Sequence, residues 1–450
     1  MDKQRLVILG GGESGVGAAL LAQAKGFEVF LSDKGLLQDK YKQILNDHQI
    51  PFEEGQHTES LILNASEVVK SPGIPDKVEL IKKLHAQGTP VISELELAAR
   101  YTNAKLIGIT GSNGKTTTTL LTYHLLKSAG LKVGLAGNIG ESFAKQVIND
   151  SYDYYVLEIS SFQLDNLYQT RLDVALLLNI TPDHLDRYEY QFQNYVNSKF
   201  RIIQNMTPAD TFIYWQESEA IAAELLKRTI VPHQLPISIT QPLTEGAYLQ
   251  DERLYATSNG QHFEISQDEM PIKGTHNALN AMSAILIAQT VGLSSEQIRD
   301  GLLSFKNASH RLELAGELRG VRFINDSKAT NVDSVYYALG SFKEPLVLIM
   351  GGVDKGNDYT QIEALVRDKV KVLICLGKDN HKLTDFFGDK VPHILETQDV
   401  TEAVRMGLEV AQPGDVVLLS PACASFDLFR NYEDRGEQFK AAVKQLIASA

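Results

Sequence analysis

Cysteine is scarce. The 450-residue chain has two, Cys375 and Cys423, far outside C-x-x-C spacing, which excludes a disulfide framework and a cysteine zinc site. Basic residues are outnumbered as well: a net charge of −13 excludes a general nucleic-acid or anionic-membrane binder, because either needs a basic face. Any anionic ligand must therefore find local positive groups. Long hydrophobic runs are missing too. None approaches the roughly 18 residues of a spanning helix, and Leu6-Val7-Ile8-Leu9 passes straight into glycine without a signal-peptide core. The expectation is a soluble, unprocessed chain in a reducing cytoplasm, with no nucleic-acid partner and no membrane insertion.

What is present is a regular alternation. At roughly 150 residues per domain the length suggests about three domains. Strand-like and helix-like segments alternate throughout, which favours an α/β fold of parallel sheets with helices on both faces. The first block has strands at Arg5–Leu9, Glu28–Ser32 and Glu67–Lys70. The second has strands at Leu106–Thr110, Tyr154–Ile159 and Val174–Ile180. The third has strands at Arg322–Asn325, Pro345–Met350, Val370–Leu376 and Val416–Leu419 and a terminal helix at Arg435–Ile447. The polar Lys306-Asn307-Ala308-Ser309 is the linker candidate before the third block.

The stretch that says most is Gly111-Ser112-Asn113-Gly114-Lys115-Thr116-Thr117, between an apolar strand and a helix. Backbone N–H groups in a glycine-rich turn, backed by the positive end of a helix, form a concave anion seat. In such a seat Lys115 reaches the β/γ-phosphates and the Thr116 hydroxyl a Mg²⁺. The loop is a G-x-x-G-K-T variant one residue short of the usual phosphate loop, since Gly108 comes one place early. A simple helix cap would leave the preceding strand and turn unexplained.

Glu158 closes a buried strand beside this loop and suits a Mg²⁺ ligand; pairing with a neighbouring lysine is the alternative. After Val174–Ile180, Pro182 stops the strand so that Asp183 and His184 emerge at the rim. A lone loop histidine is ordinarily just solvated, so His184 needs corroboration. Near the start, Gly10-Gly11-Gly12-Glu13-Ser14-Gly15 satisfies G-x-G-x-x-G, with Asp33 about 20 residues on as a ribose-binding acid. Alone this reads as a dinucleotide site, yet any nucleotide diphosphate offers the same diphosphate and sugar.

Taken together, Gly111–Thr117, Glu158-Ile159-Ser160-Ser161-Phe162-Gln163 and Asn179-Ile180-Thr181-Pro182-Asp183-His184-Leu185-Asp186 resemble the Mur ligase family. The resemblance continues through Gly274–Ala281, His310-Arg311-Leu312-Glu313, Asn325-Asp326-Ser327-Lys328-Ala329-Thr330-Asn331, Gly351-Gly352-Val353-Asp354-Lys355 and Ser420–Asp427. Within the family, the Asp326–Asn331 and Ser420–Asp427 runs resemble the branch that adds D-glutamate to UDP-N-acetylmuramoyl-L-alanine. The Asp-Asn-Pro-Arg type motif of the diaminopimelate- and lysine-adding relatives is absent.

The resemblance implies three α/β domains: a Rossmann-like UDP-substrate domain at 1–95, a central P-loop-type ATPase domain at 96–306, and a Rossmann-like domain at 307–450 that swings in with the amino acid. It implies a ligase that uses ATP to phosphorylate the terminal carboxylate and lets the amine of D-glutamate attack the acyl phosphate. The expected state is a monomer. ATP would meet Gly111, Ser112, Asn113, Gly114, Lys115, Thr116 and Thr117, with Asn277 and Asn280 near adenine, Asp326 at ribose, and Arg311 at the γ-phosphate once the domains close.

One Mg²⁺ is implied on Thr116 and Glu158 and a second on His184 and Lys199. By family analogy Lys199 is carbamylated by CO₂, which turns a cation into an anion. That reaction needs a neutral amine, favoured by burial and nearby positive charge. Lys115, His184, Lys199 and Arg311 are thus the implied catalytic residues. The UDP-substrate is implied on Gly12, Glu13, Ser14, Asp33, Lys34 and Ser71, with Asn138 at its muramoyl-alanine part. D-Glutamate falls to Thr330, Lys355, Ser425 and Phe426, since two carboxylates demand a cation plus hydroxyl or backbone donors. One departure stands out: relatives often place a hydroxyl residue and then arginine after the acid matching Asp33, where this chain has Lys34-Gly35.

Three other readings stay open. A folate polyglutamate synthetase shares the ATP half but gives no reason for the first block. A nicotinamide dehydrogenase explains only about the first 35 residues. A non-catalytic nucleotide switch explains the phosphate loop but not the amino-acid candidates.

Overall fold

The computed structural model describes residues 4–306 and 309–450, so the two central residues of the expected linker, Asn307 and Ala308, lie outside it. Three sheets follow one another along the chain. The first joins β1 (Arg5–Leu9), β2 (Glu28–Asp33), β3 (Phe52–Glu54), β4 (Glu67–Lys70) and β5 (Val91–Ile92) in the order β3-β2-β1-β4-β5, all parallel. Its central strand is apolar on both faces. Leu6 and Ile8 pack into one core with Val16, Ala19 and Leu45, while Val7 and Leu9 pack into another with Ile62, Leu80 and Leu84. Burial on both sides is why such a strand reads as a continuous hydrophobic run, and each side chain of this size contributes about 2 kcal/mol.

The second sheet contains β6 (Lys105–Thr110), β7 (Val133–Gly137), β8 (Tyr154–Glu158), β9 (Val174–Leu177), β10 (Thr211–Trp215), β11 (His233–Ser238), β12 (Gly246–Gln250), β13 (Arg253–Ser258) and β14 (Gln261–Ser266). Their order is β14-β13-β12-β11-β10-β9-β6-β8-β7. Alternation of strand and helix does not hold throughout, because β12, β13 and β14 form an antiparallel meander on the edge of an otherwise parallel sheet. The signals were local. Asp251-Glu252 and Asn259-Gly260 are two-residue turns with positive φ at both positions, and Asn-Gly is the strongest short hairpin signal.

The third sheet contains β15 (Glu313–Leu318), β16 (Val321–Asn325), β17 (Leu346–Met350), β18 (Val370–Leu376), β19 (His393–Thr397) and β20 (Val416–Leu419) in the order β15-β16-β20-β17-β18-β19. Only β15 runs antiparallel to its neighbour. The terminal helix spans Tyr432–Ala448.

The chain divides into two compact units. One holds the described residues up to Pro271 with Ala278–Phe305; the other holds Ile272–Asn277 and the described residues from Lys306 on. Within the first, the short helix Glu94–Ala99 joins two sheets through its acids: Glu94 accepts from Ser142 Oγ and Ala144 N, each at 2.7 Å, and Glu96 from Gln169 N at 2.9 Å and Thr170 Oγ1 at 2.7 Å. Both cysteines are free and buried. Among the described residues no helix is long and apolar enough to cross a membrane.

Candidate active site

Open α/β sheets bind ligands where strand order reverses, beyond the carboxyl ends of the strands. In the second sheet that point is β6, flanked by β9 and β8. The loop Gly111–Gly114 leaves β6 there and enters the helix Lys115–Ser128 through Gly114, whose φ of +83° suits glycine. The structure pins this loop to the end of β9. Asn113 N donates to Asn179 Oδ1 at 2.8 Å, Asn179 Nδ2 donates to Asn113 O at 3.1 Å, and Ser112 N donates to Asn179 O at 3.0 Å. Ser112 is turned inward: its Oγ donates to Thr181 O at 2.9 Å and lies 3.1 Å from Tyr195 Oη. Its side chain fixes the loop's shape. Neither Asn179 nor Tyr195 is a site candidate from the sequence, although a polar residue at the end of an apolar strand is a signal for the first.

Two lysines converge on the same loop. Lys115 Nζ donates to Gly111 O at 2.7 Å and Ser112 O at 2.8 Å. Lys199, from the helix Phe192–Phe200, is 1% exposed and donates to Thr110 Oγ1 at 3.0 Å and Gly111 O at 2.9 Å. Burial above all, and then the charge of Lys115, hold its pKa well below the ordinary lysine value.

Glu158 ends β8, opposite Ile109 of β6. Asn138 Nδ2 donates to its Oε1 at 2.8 Å, whereas Oε2 is buried and has no hydrogen-bond partner among the described residues. An orphaned carboxylate oxygen in this place fits Mg²⁺. With Thr116 it offers hard oxygen donors, and Mg²⁺ commonly takes one or two carboxylates and completes its shell with water and phosphate. No cluster of three or more acidic, histidine or cysteine ligands forms among the described residues. His184 sits at the rim with φ of +53°, its ring edge-on to Phe162 at 5.1 Å. Asn280 lies against the loop, with its Oδ1 accepting from Thr118 Oγ1 at 3.0 Å. Asn277 Nδ2 donates instead to Lys273 O at 2.9 Å.

The first sheet has its own switch point at β1. The helix Glu13–Ala24 begins there at Gly12, and a Cβ on Gly15 would lie 1.9 Å from Gly10 O, so only glycine permits this turn. Asp33 is occupied: Gly11 N donates to its Oδ2 at 2.6 Å and Gly35 N to its Oδ1 at 2.7 Å. Ser71 stands at the end of β4 against Gly10, Ser14 is half-buried, and Glu13 and Lys34 are exposed.

In the third sheet Asp326 follows β16 and Ser420 follows β20. Ser420 Oγ donates to Asp326 Oδ2 at 2.9 Å, and burial pushes the Asp326 pKa up to about 7 against the pull of Arg311. The unforeseen residue is Arg435, 1% exposed. Its guanidinium donates to Ser327 Oγ at 2.9 Å, Ser327 O at 2.8 Å, Cys423 O at 3.2 Å and Gly351 O at 3.3 Å. It gathers the three loops that carry Thr330, Lys355 and Ser425. Ser425 is 2% exposed, whereas Lys355 and Phe426 are exposed.

Comparison with known proteins agrees with this layout. The family model described as the MurD N-terminal domain matches residues 5–80, the Mur ligase middle domain matches 109–288, and the Mur ligase glutamate ligase domain matches 310–423. A protein of Bacteroides fragilis named UDP-N-acetylmuramoylalanine--D-glutamate ligase is 53% identical over 98% of this chain and 100% of its own. Proteins of the same name from Cytophaga hutchinsonii and Salinibacter ruber are 51% and 38% identical, covering 98% and 99% of this chain and 99% and 98% of theirs. Among solved structures, a pseudomurein peptide ligase type C from Methanothermus fervidus superposes with TM-score 0.64 at 18% identity, covering 99% of this chain and 100% of that one. UDP-N-acetylmuramate-alanine ligase MurC from Thermotoga maritima superposes with TM-score 0.62 at 16% identity, with the same coverage. Those two likenesses speak to fold, while the full-length sequence identities decide kinship: the chain belongs to the Mur ligase family.

Proposed function

We propose that the protein is an ATP-dependent ligase that joins D-glutamate to UDP-N-acetylmuramoyl-L-alanine, releasing ADP and phosphate, in peptidoglycan precursor synthesis. The observation that carries the chemistry is the convergence of Lys115 and Lys199 on the loop after β6, with Glu158 ending the neighbouring strand and its Oε2 without a partner among the described residues. The substrates follow from the names of full-length relatives. The domains divide at 1–95, 96–306 and 307–450, and the chain acts as a cytoplasmic monomer.

A carboxylate is a poor electrophile. An oxygen of the L-alanine carboxylate attacks the γ-phosphorus, ADP leaves, and the resulting acyl phosphate is attacked at carbon by the amine of D-glutamate. The C–O bond breaks, phosphate departs with that oxygen, and the amine loses its proton. Phosphoryl transfer needs alignment and charge neutralisation. Lys115 exchanges its loop carbonyls for phosphate oxygens, and the N–H groups at the start of the helix Lys115–Ser128 hold the β-phosphate. Gly111 to Thr117 with Asn277, Asn280 and Asp326 seat the nucleotide, and Arg311 serves the γ-phosphate.

Mg²⁺, when bound, neutralises phosphate charge; Thr116 and Glu158 would hold one ion, His184 and carbamylated Lys199 a second. Asn138 orients Glu158 through Oε1. Gly12, Glu13, Ser14, Asp33, Lys34 and Ser71 serve the UDP part, and Thr330, Lys355, Ser425 and Phe426 the amino acid. The test is ADP release with Mg·ATP, UDP-N-acetylmuramoyl-L-alanine and, separately, D-glutamate, L-glutamate, L-lysine or diaminopimelate. Release with D-glutamate alone, giving a product heavier by one glutamyl residue, is expected; silence with all four, or NADH binding, would return the dehydrogenase and switch readings.

A further inference from the structure

We infer that Arg187 is a positioning residue that clamps the His184 loop of the second sheet onto the Ser71–Gly73 loop of the first, so that the hold on the UDP-substrate and the placement of His184 are coupled. This rests on the proposed function. His184 begins the short turn Leu185–Arg187, and Arg187 N donates back to His184 O at 2.9 Å. That turn carries the Arg187 guanidinium to 4.3 Å from the centre of the Phe162 ring, while Nη2 donates to Pro72 O at 3.2 Å. The same ring meets His184 edge-on at 5.1 Å and stacks on Tyr188 at 6.1 Å. One aromatic ring therefore positions both the imidazole and the guanidinium, and it stands four residues after Glu158.

The other end of the clamp is equally fixed. Ser71 N donates to Leu9 O at 2.8 Å, and a Cβ on Gly10 would lie 2.6 Å from Ser71 Cβ, so the loop abuts the first residue of the glycine cradle. A shift of Pro72 moves that cradle. Arginine suits this task because a planar guanidinium stacks and donates at once, which an ammonium cannot do. The substrate must reach from the cradle after β1 to the loop after β6, and its carboxylate stays in attacking range only if the two ends keep their spacing.

The experiment compares wild type with Arg187→Ala, Arg187→Lys and Phe162→Leu. Calorimetry with UDP-N-acetylmuramoyl-L-alanine, without ATP, reads the cradle; Mg²⁺ titration of turnover reads His184; the melting temperature reads folding. Arg187→Ala is expected to weaken UDP-substrate binding and raise the half-saturating Mg²⁺, each about tenfold, with the ATP KM within about twofold. Arg187→Lys falls between, and Phe162→Leu reproduces the Mg²⁺ shift. Should Arg187→Ala fail to fold, Arg187→Lys carries the test. Arginine variants that match wild type in binding and Mg²⁺ requirement, or that lose activity only in step with a lower melting temperature, overturn the inference. A wild type silent with D-glutamate overturns the proposed function instead.

Discussion

Each of the two glycine cradles has a buried lysine beside it, and the two are held in opposite ways. Lys70, 3% exposed at the end of β4, donates to Ile74 O at 2.7 Å and pairs with Asp76 at 3.0 Å. Lys199, 1% exposed beside the loop after β6, donates to a hydroxyl and a carbonyl, both neutral. Paired with a carboxylate and a carbonyl, Lys70 locks a loop. A buried amine with neutral acceptors gives up its proton readily and can then react with CO₂. The acids repeat the contrast, because both oxygens of Asp33 accept backbone N–H groups while Glu158 keeps Oε2 open. The polar groups of the first cradle, Lys70 and Asp33, are paired; in the second, Lys199 has neutral acceptors and Oε2 of Glu158 has no partner among the described residues.

The sharpest way to break this comparison is to remove each lysine. Lys199→Ala should lower kcat by about 10³-fold with the fold intact, and ¹³C-labelled bicarbonate should give a carbamate resonance in wild type that the variant lacks. Lys70→Ala should cost about 1–2 kcal/mol in urea unfolding, since Asp76 is half-exposed and rehydrates, yet leave kcat within about threefold. The reverse pattern would erase the distinction. The acids offer a smaller contrast. Glu158→Gln should lower kcat about 10²-fold and raise the Mg²⁺ requirement, whereas Asp33→Asn should weaken UDP-substrate binding about tenfold at nearly unchanged kcat.

A pH-dependent contrast concerns Asp326, whose oxygens are occupied like those of Asp33 but inside a drier site. Its pKa is raised from 3.8 to about 7 in the folded chain. Between those values the folded state keeps a proton that the unfolded chain has released. The stability this confers is complete below the unfolded value and lost as pH rises through about 7. Asp326→Asn should therefore gain on wild type by about 4 kcal/mol in urea unfolding between acidic and mildly alkaline pH. A pH-independent difference would contradict the assigned burial.

The parallel strands and both cradles were legible because their signals are local: an apolar run, glycines at fixed offsets, a helix start. The second-sheet meander was legible in principle through Asn259-Gly260, but the strand–helix alternation of the rest of the chain masks it. The reciprocal bonds of Asn113 with Asn179 and the gathering role of Arg435 were not legible. They join positions 66 and 108 residues apart, and only folding brings such partners together. Arg435 in particular reads as an exposed charge on a terminal helix until three strand-end loops surround it.

Phosphorylation of the substrate carboxylate is the central step of the proposed reaction, and isotope transfer tests it directly. UDP-N-acetylmuramoyl-L-alanine carrying ¹⁸O in its alanine carboxylate is incubated with Mg·ATP and D-glutamate, and the released phosphate is weighed by mass spectrometry. One ¹⁸O is expected in each phosphate, carried over when the acyl phosphate breaks at its C–O bond; phosphate free of the label would contradict an acyl-phosphate route.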